Sequence, residues 1–418
     1  MLIAMIASGS RGDVQPYVAL GKGLVEAGHE VHIATHEDYK NLVEENGLKL
    51  FPVEGAISAI IEGQTMRGLI EGGNFLAMMA EMGKLAKTGA LHLARAAMAA
   101  SRGSDLILAG MGGDTIGIAV AEKLGLPFMP AYLVPFTPTR AFGSVLTTVL
   151  PISGGAVNLL THQIAKQLMW QGFRSADKVA RCEVIGLPPA SFFGPDPDVG
   201  GRKLPRLYGY SPSVLPSPPD WGENNLVTGY WFLDTDQNWQ PPQDLSDFLD
   251  AGPSPVYIGF GSLSSQDPQA TTDLILKAIK IAGVRAVLFS GTDALARVAL
   301  PDSVFMTSGV PHAWLFPRVA AVVHHGGVGT TAAGMRAGVP AMIVPFFGDQ
   351  PFWGKRVAEL EVGPVPVPRK KLTAETLAAG IQTVVSNDDM KRKAAQLGEK
   401  IRAEDGVGRA VEVITKVA

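Results

Sequence analysis

The chain has 418 residues, 46% hydrophobic and 18% charged, with a formal net charge of −3. Such a chain is long enough for two separately cored domains, and its charge excludes the broad cationic surface that a nucleic-acid partner needs. One cysteine, Cys182, excludes an internal disulfide; it reads as a small buried hydrophobe in a reducing, cytoplasmic setting.

In chain order, residues 2–7 are apolar, lack a basic leader and run into Gly9 too early for a secretory core or a membrane span. They read as a first strand. A helix near 15–27, a strand at 31–35 and a helix near 38–46 continue a βαβα opening, and strands at 105–109 and 128–133 flank a helix at 116–124. A parallel sheet covered by helices is the economical arrangement. Between these strands, residues 57–100 are helical in composition and carry Met66, Met78, Met79, Met82 and Met98. Methionine at such spacing fills cores; the sharper reading is an adaptable apolar pocket for an acceptor. Residues 141–170 are also apolar, but Pro151, Gly154 and Gly155 interrupt them, which argues against a span and leaves docking on a bilayer surface open.

The serines, prolines and glycine of 211–225 have the composition of a connector. The expected plan is a domain at 1–212, a linker at 213–225, a second domain at 226–387 and a helical tail at 388–418 packing back toward the first domain. The rhythm restarts with a strand at 256–260, a helix at 271–281 and strands at 285–290, 304–306, 320–323 and 341–344. This is a second doubly wound domain, so the fold class is α/β. Residues 388–404 form a charged amphipathic helix with a solvated face.

The most informative segment is His324-His325-Gly326-Gly327-Val328-Gly329-Thr330-Thr331, which reads as strand, glycine-rich turn, then helix. Backbone N–H groups at a helix start lack intrahelical partners and the macrodipole is positive there, so the segment suits a phosphate, with His325 adding a side-chain donor. The next strand leads to Asp349 and Gln350, a carboxylate and an amide suited to sugar hydroxyls. Together they suggest a nucleotide sugar. The run Gly259-Phe260-Gly261-Ser262 offers further N–H groups and a hydroxyl, while Val310, His312 and Trp314 follow another strand and could frame a base or belong to the core. The tandem histidines lack a third ligand at suitable spacing, so no metal site is expected.

In the first loop, Ser8-Gly9-Ser10-Arg11-Gly12-Asp13-Val14-Gln15-Pro16, a dinucleotide fingerprint would need glycines where Arg11 and Val14 stand. Glu37 and Asp38 follow the second strand as a ribose-binding acid should, but without those glycines a nicotinamide cofactor is not supported. Asp13 has two readings: a cap for the helix near Gln15, or a general base that takes the proton of an acceptor hydroxyl.

These stretches resemble one family. Residues 9–16 (GSRGDVQP), 310–319 (VPHAWLFPRV), 324–338 (HHGGVGTTAAGMRAG) and 344–354 (VPFFGDQPFWG) resemble the inverting UDP-glycosyltransferases of GT-B fold, especially the sterol 3-beta-glucosyltransferases and the antibiotic-type enzymes. The resemblance implies two Rossmann-like domains facing each other across a cleft, a UDP-sugar donor, a lipophilic acceptor and no metal or other cofactor. It implies that His325, Gly329 and Thr330 contact the donor diphosphate, with Gly327 allowing close approach. Asp349 and Gln350 would bind the sugar, Gly261 and Ser262 would complete the phosphate site, and Val310 and His312 would lie at the uracil. Asp13 stands where plant relatives carry a catalytic histidine and several bacterial and fungal relatives an aspartate. Asp114, in the glycine-rich 110–117 loop, is a second candidate base. Two other classes compete: a nucleotide-sugar epimerase of the same architecture, and a non-catalytic lipophile-binding relative.

Overall fold

The computed structural model describes residues 1–55, 75–146, 154–234, 239–260, 267–291, 295 and 299–417. They form two compact units, one gathering the described residues of 1–55, 76–233 and 404–417, the other those of 234–403.

In the first unit, strands β1 (Leu2–Ile6), β2 (Glu30–His36), β3 (Lys49–Val53), β4 (Leu106–Ala109), β5 (Phe128–Tyr132), β6 (Arg206–Tyr208) and β7 (Asn225–Val227) form one parallel sheet in the order β3-β2-β1-β4-β5-β6-β7. The strand order reverses between β1 and β4, whose register pairs Ile3 with Leu106. Near-continuous apolar strands such as Leu2–Ile6 follow from burial on both faces. One face is covered by α1 (Arg11–Glu26) and the other by α3 (Phe75–Ala100) and α4 (Asp114–Leu124), with the short α2 (Lys40–Glu44) following β2. A further long helix, α5, spans Gly155–Val179.

The second unit has a five-stranded parallel sheet of β8 (Val256–Gly259), β9 (Ala286–Phe289), β10 (Val304–Thr307), β11 (Ala321–His324) and β12 (Ala341–Ile343), in the order β10-β9-β8-β11-β12. Its helices are α6 (Gln243–Asp250), α7 (Pro268–Ala282), the short α8 (His312–Leu315), α9 (Val328–Ala337), α10 (Gln350–Glu359), α11 (Ala374–Ser386) and α12 (Asp388–Arg402). Here the order reverses between β8 and β11. In open α/β sheets ligands bind at such reversal points, beyond the carboxyl ends of the strands.

Three features differ from the expectations. The 213–225 stretch is packed rather than a free connector: Val214, Leu215 and Trp221 are buried, and the Trp221 ring stacks on Tyr208 at 4.5 Å. The Asp220 carboxylate accepts from the Thr139 hydroxyl at 2.5 Å and the Arg140 N–H at 2.7 Å, so the chain passes to the second unit only after residue 233. Second, the tail divides. Helix α12 stays with the second unit, where Arg402 donates to the Arg336 carbonyl at 2.6 Å. Helix α13 (Gly406–Val417) packs Ala410 and Ile414 into the core of the first, and Gly23 of α1 leaves room for Val407 and Val411. Third, Cys182 is exposed, because the wide helical turn 180–185 directs Arg181 and Ile185 inward and the thiol outward. Of the methionines in 57–100, Met98 packs against the core; Met66, Met78, Met79 and Met82 lie outside the residues or side chains described.

Candidate active site

The loops after β1 and β4 meet at the reversal point of the first sheet, and each carries a carboxylate. Helix α1 begins at Arg11, earlier than expected, with Ser10 as its N-cap, so Asp13 stands at the third helical position. Its Oδ2 accepts from the Ser10 N–H and the Ser10 hydroxyl, both at 2.8 Å. With the Ser10 side chain set in turn against the Asp13 N–H, the pair forms a capping box. Among the described residues its other oxygen, Oδ1, accepts no hydrogen bond. Burial pushes the Asp13 carboxyl up from its ordinary value, and the Ser10 bonds partly offset that. Gly9 is required beside it: its φ is +139°, and a Cβ there would lie 2.5 Å from Asp13 Oδ2.

Asp114 begins α4 and takes the N–H of Thr115 at 2.9 Å. Burial pushes it up to about 6 against the lowering effect of that bond. The phenol of Tyr17 is raised by burial and then by both Asp114 and Asp13, so the two acids bear on one buried ring, whose hydroxyl donates to the Ala131 carbonyl. Ser8 and His36 complete this edge. His36 Nδ1 lies 3.0 Å from the Gly55 carbonyl, which only accepts, so that nitrogen carries the proton. Its Nε2 then accepts from the Ser8 hydroxyl at 3.1 Å, and burial holds the ring neutral. His36 is not among the residues expected from the sequence, although a histidine ending the strand next to β1 is a signal legible there.

In the second unit, β11 delivers His324 and His325 to the turn before α9. Gly326 donates its N–H to His324 Nδ1 at 3.1 Å, which places the His324 proton on Nε2, a buried atom without a partner among the described residues. Among the described residues His325 Nδ1 is likewise buried without a partner. Gly327 is the N-cap of α9, and a Cβ on it would stand 2.5 Å from His325 Nε2. Its carbonyl receives the Thr331 N–H and hydroxyl at 3.0 and 2.9 Å. The first-turn N–H groups of Val328, Gly329 and Thr330 therefore have no partner of their own within the helix. The start of α9 thus sets backbone amides and the His325 imidazole side by side.

The loop after β12 brings Asp349 and Gln350 to the start of α10. The Gln350 amide oxygen accepts from the N–H groups of Phe346 and Phe347 at 2.8 and 3.2 Å, so it holds the turn. Asp349 Oδ2 accepts from Trp353 Nε1 at 2.8 Å, which fixes the carboxylate. The His312 ring stacks on Phe316 at 4.3 Å, with Tyr257 3.5 Å away, and Val310 packs against the same cluster. Gly261 and Ser262 lie outside the described residues; Gly259 and Phe260 lead into them at the end of β8.

Burial pushes His325 down to about 4 and His324 well below its ordinary value. An unfolded imidazole titrates near 6.5, so below about that pH the unfolded chain binds protons that the folded chain does not. The stability tied to the neutral ring is present above about 6.5 and is lost as pH falls toward 4. In urea titrations followed by circular dichroism, the midpoint should drop between about pH 7 and pH 4.5, and drop less for His325→Asn.

Over residues 3–143 the chain matches the glycosyltransferase family 28 N-terminal domain, and over residues 286–416 the erythromycin biosynthesis protein CIII-like C-terminal domain. The chain has two parallel sheets with reversal-point loops, the two Rossmann-like domains of the GT-B fold, and over the first of them it resembles glycosyltransferases. It is 37% identical over 439 aligned residues to a sterol 3-beta-glucosyltransferase of Cryptococcus neoformans, covering 99% of this chain and 27% of that protein. The chain thus spans about a quarter of the length of the curated relative. The solved structure of the kitacinnamycin glycotransferase is similar with a TM-score of 0.67 at 20% identity, covering 99% of this chain and 98% of that one. SsfS6 of Streptomyces sp. SF2575, complexed with thymidine diphosphate, gives 0.64 at 19% identity over 100% and 99% of the two chains. Those two likenesses concern the fold.

No helix among the described residues is long and apolar enough to cross a membrane.

Proposed function

We propose that the chain transfers a hexose, glucose first among them, from a UDP-sugar to the hydroxyl of a lipophilic alcohol such as a sterol, triterpenoid or polyketide, with inversion. In this reading the first unit binds the acceptor and the second the donor. The observation that carries it is the α9 start, where the helix-start amides, which lack partners within the helix, and the His325 ring lie together. A diphosphate there would meet His325, Gly329 and Thr330, with Gly327 leaving room. Asp349 and the amide nitrogen of Gln350 would meet the sugar hydroxyls, Val310 and His312 the base, and Gly261 and Ser262 the phosphates.

The reaction is a single displacement. Asp13 Oδ1 takes the hydroxyl proton, the acceptor oxygen bonds to the anomeric carbon, and the bond from that carbon to the diphosphate breaks as UDP leaves with the electron pair. A base here needs reach and an ionised carboxylate at working pH, and the Ser10 bonds keep one oxygen fixed while the other faces the proton. Charge developing on the leaving diphosphate is met by preorganised dipoles, which supports a reaction that uses no divalent metal. Asp114 is the reserve candidate for the base. The single cysteine, exposed and unpaired, suits the reducing cytoplasm, and a lipophilic acceptor favours contact with a membrane surface.

The test incubates the chain with UDP-glucose and a panel of sterols, triterpenoids, flavonoids and macrolides, reading glycoside mass and anomeric proton coupling. A β-linked hexoside from the α-linked donor is expected. Release of epimerised sugar without acceptor would favour the epimerase, and absence of UDP binding in calorimetry would favour the non-catalytic relative. Adding EDTA to the same assay is expected to leave the rate unchanged; loss of activity restored by Mg²⁺ would assign the diphosphate charge to a metal.

A further inference from the structure

His36 ends β2, paired with Val53 of β3, and its ring is buried. Its two nitrogens join segments far apart in the chain. Nδ1 donates to the Gly55 carbonyl at 3.0 Å, and Nε2 accepts from the Ser8 hydroxyl at 3.1 Å. Burial keeps the ring uncharged against the raising effects of the Gly55 bond and of Asp38. The Tyr39 hydroxyl donates to the Gly9 carbonyl at 3.3 Å, so the end of β2 and the turn after it hold the loop after β1 at two successive residues. Ser8 adjoins both loops that carry the acids of this edge. Gly9, the next residue, leaves room for the Asp13 carboxylate. Gly112, in the loop that leads to Asp114, crosses so close that a Cβ there would lie 2.7 Å from the Ser8 carbonyl oxygen and 4.0 Å from the Ser8 Cβ.

A hydroxyl has one proton to give and lone pairs to accept with. With its proton given to His36 Nε2, the half-buried Ser8 oxygen can only accept, as an ionised carboxylate does. An alcohol brought beside Asp13 must release its proton and keep a lone pair free for the anomeric carbon. A hydroxyl donor at that point would tie up either the lone pair or the base. We propose that His36 is a positioning residue for the transfer: it draws the Ser8 proton away from the site, so that Ser8 cannot donate to the attacking oxygen or to the Asp13 carboxylate. The inference rests on the reading of Asp13 as the base for an acceptor alcohol.

The test is a cycle of variants of the full chain, assayed for transfer from UDP-glucose to the acceptor of the panel that is converted fastest. His36→Phe leaves the Ser8 proton free and should lower kcat by at least about tenfold, with KM for UDP-glucose within about twofold of wild type. His36→Gln still offers Ser8 an oxygen and should lose no more than about threefold. Ser8→Ala removes the donor together with one acceptor contact and should lose about threefold. The double variant Ser8→Ala, His36→Phe should then turn over as Ser8→Ala does, about threefold or more faster than His36→Phe, whereas a ring that merely supports the fold gives losses that add. Heteronuclear NMR of the histidine rings reads the proton without substrate and keeps the inference open to test where His36→Phe does not fold: at neutral pH His36 should be uncharged with its proton on Nδ1. A proton on Nε2, or a double variant as slow as His36→Phe or slower, overturns the inference and leaves the enzymatic reading standing. No transfer by the wild type overturns the enzymatic reading and this inference with it.

Discussion

Replacing Asp13 with Asn lowers turnover by at least about 100-fold while UDP affinity stays within about twofold of wild type. The variant keeps an acceptor oxygen for Ser10 and the shape of the first helical turn, so the cap costs about 1 kcal/mol or less. What it removes is an oxygen that can take a proton. Single-turnover kinetics with excess enzyme isolates the chemical step, and calorimetry with UDP measures the proposed donor site. Full turnover in Asp13→Asn would move the base elsewhere, and Asp114→Asn is then the variant to measure, because its carboxyl lies at the same sheet edge and is pushed up to about 6.

Replacing His325 with Ala lowers kcat/KM for the donor by about 100-fold, the scale found when one preorganised donor to a developing anion is deleted. The imidazole is neutral at working pH, so the loss is that of an oriented dipole and should change little between about pH 6.5 and pH 8. Gly327→Ala is the geometric companion: its methyl would stand 2.5 Å from Nε2 and turn the ring out of place with the imidazole chemistry intact. Initial-rate kinetics at several UDP-glucose concentrations, with each variant checked for folding, decides it. A Gly327→Ala enzyme as active as wild type would show that the ring position does not matter.

Much of this was legible in the chain because its strands are buried on both faces and read as short apolar runs between glycine turns. Gly326 and Gly327 before Val328 announce a turn and a helix start, and the structure has both. Local chemistry was harder to read. Ser10, not Asp13, caps α1, because Asp13 satisfies the cap from inside the helix and spacing alone does not separate those roles. Trp221 and Asp220 anchor a stretch whose composition says connector, since proline and serine report on backbone preference and not on what a neighbouring tryptophan packs against. Gln350 spends its oxygen on its own turn, a tertiary detail that no pattern of residue types encodes. Pairings between distant segments, such as Ser8 with His36, appear only once adjacent strands are aligned.

The placement of α13 bears on how the molecule is made. Ala410 and Ile414 fill the same core as Val18 and Leu24, yet on the ribosome they emerge only after all of 234–403. Vectorial synthesis, at roughly 5–20 residues per second, therefore cannot finish the amino-terminal body first: its helical layer stays open next to α1 while the second sheet is made. During that interval the exposed groove along Gly23 is a surface that chaperones can recognise, and the final helix closes it.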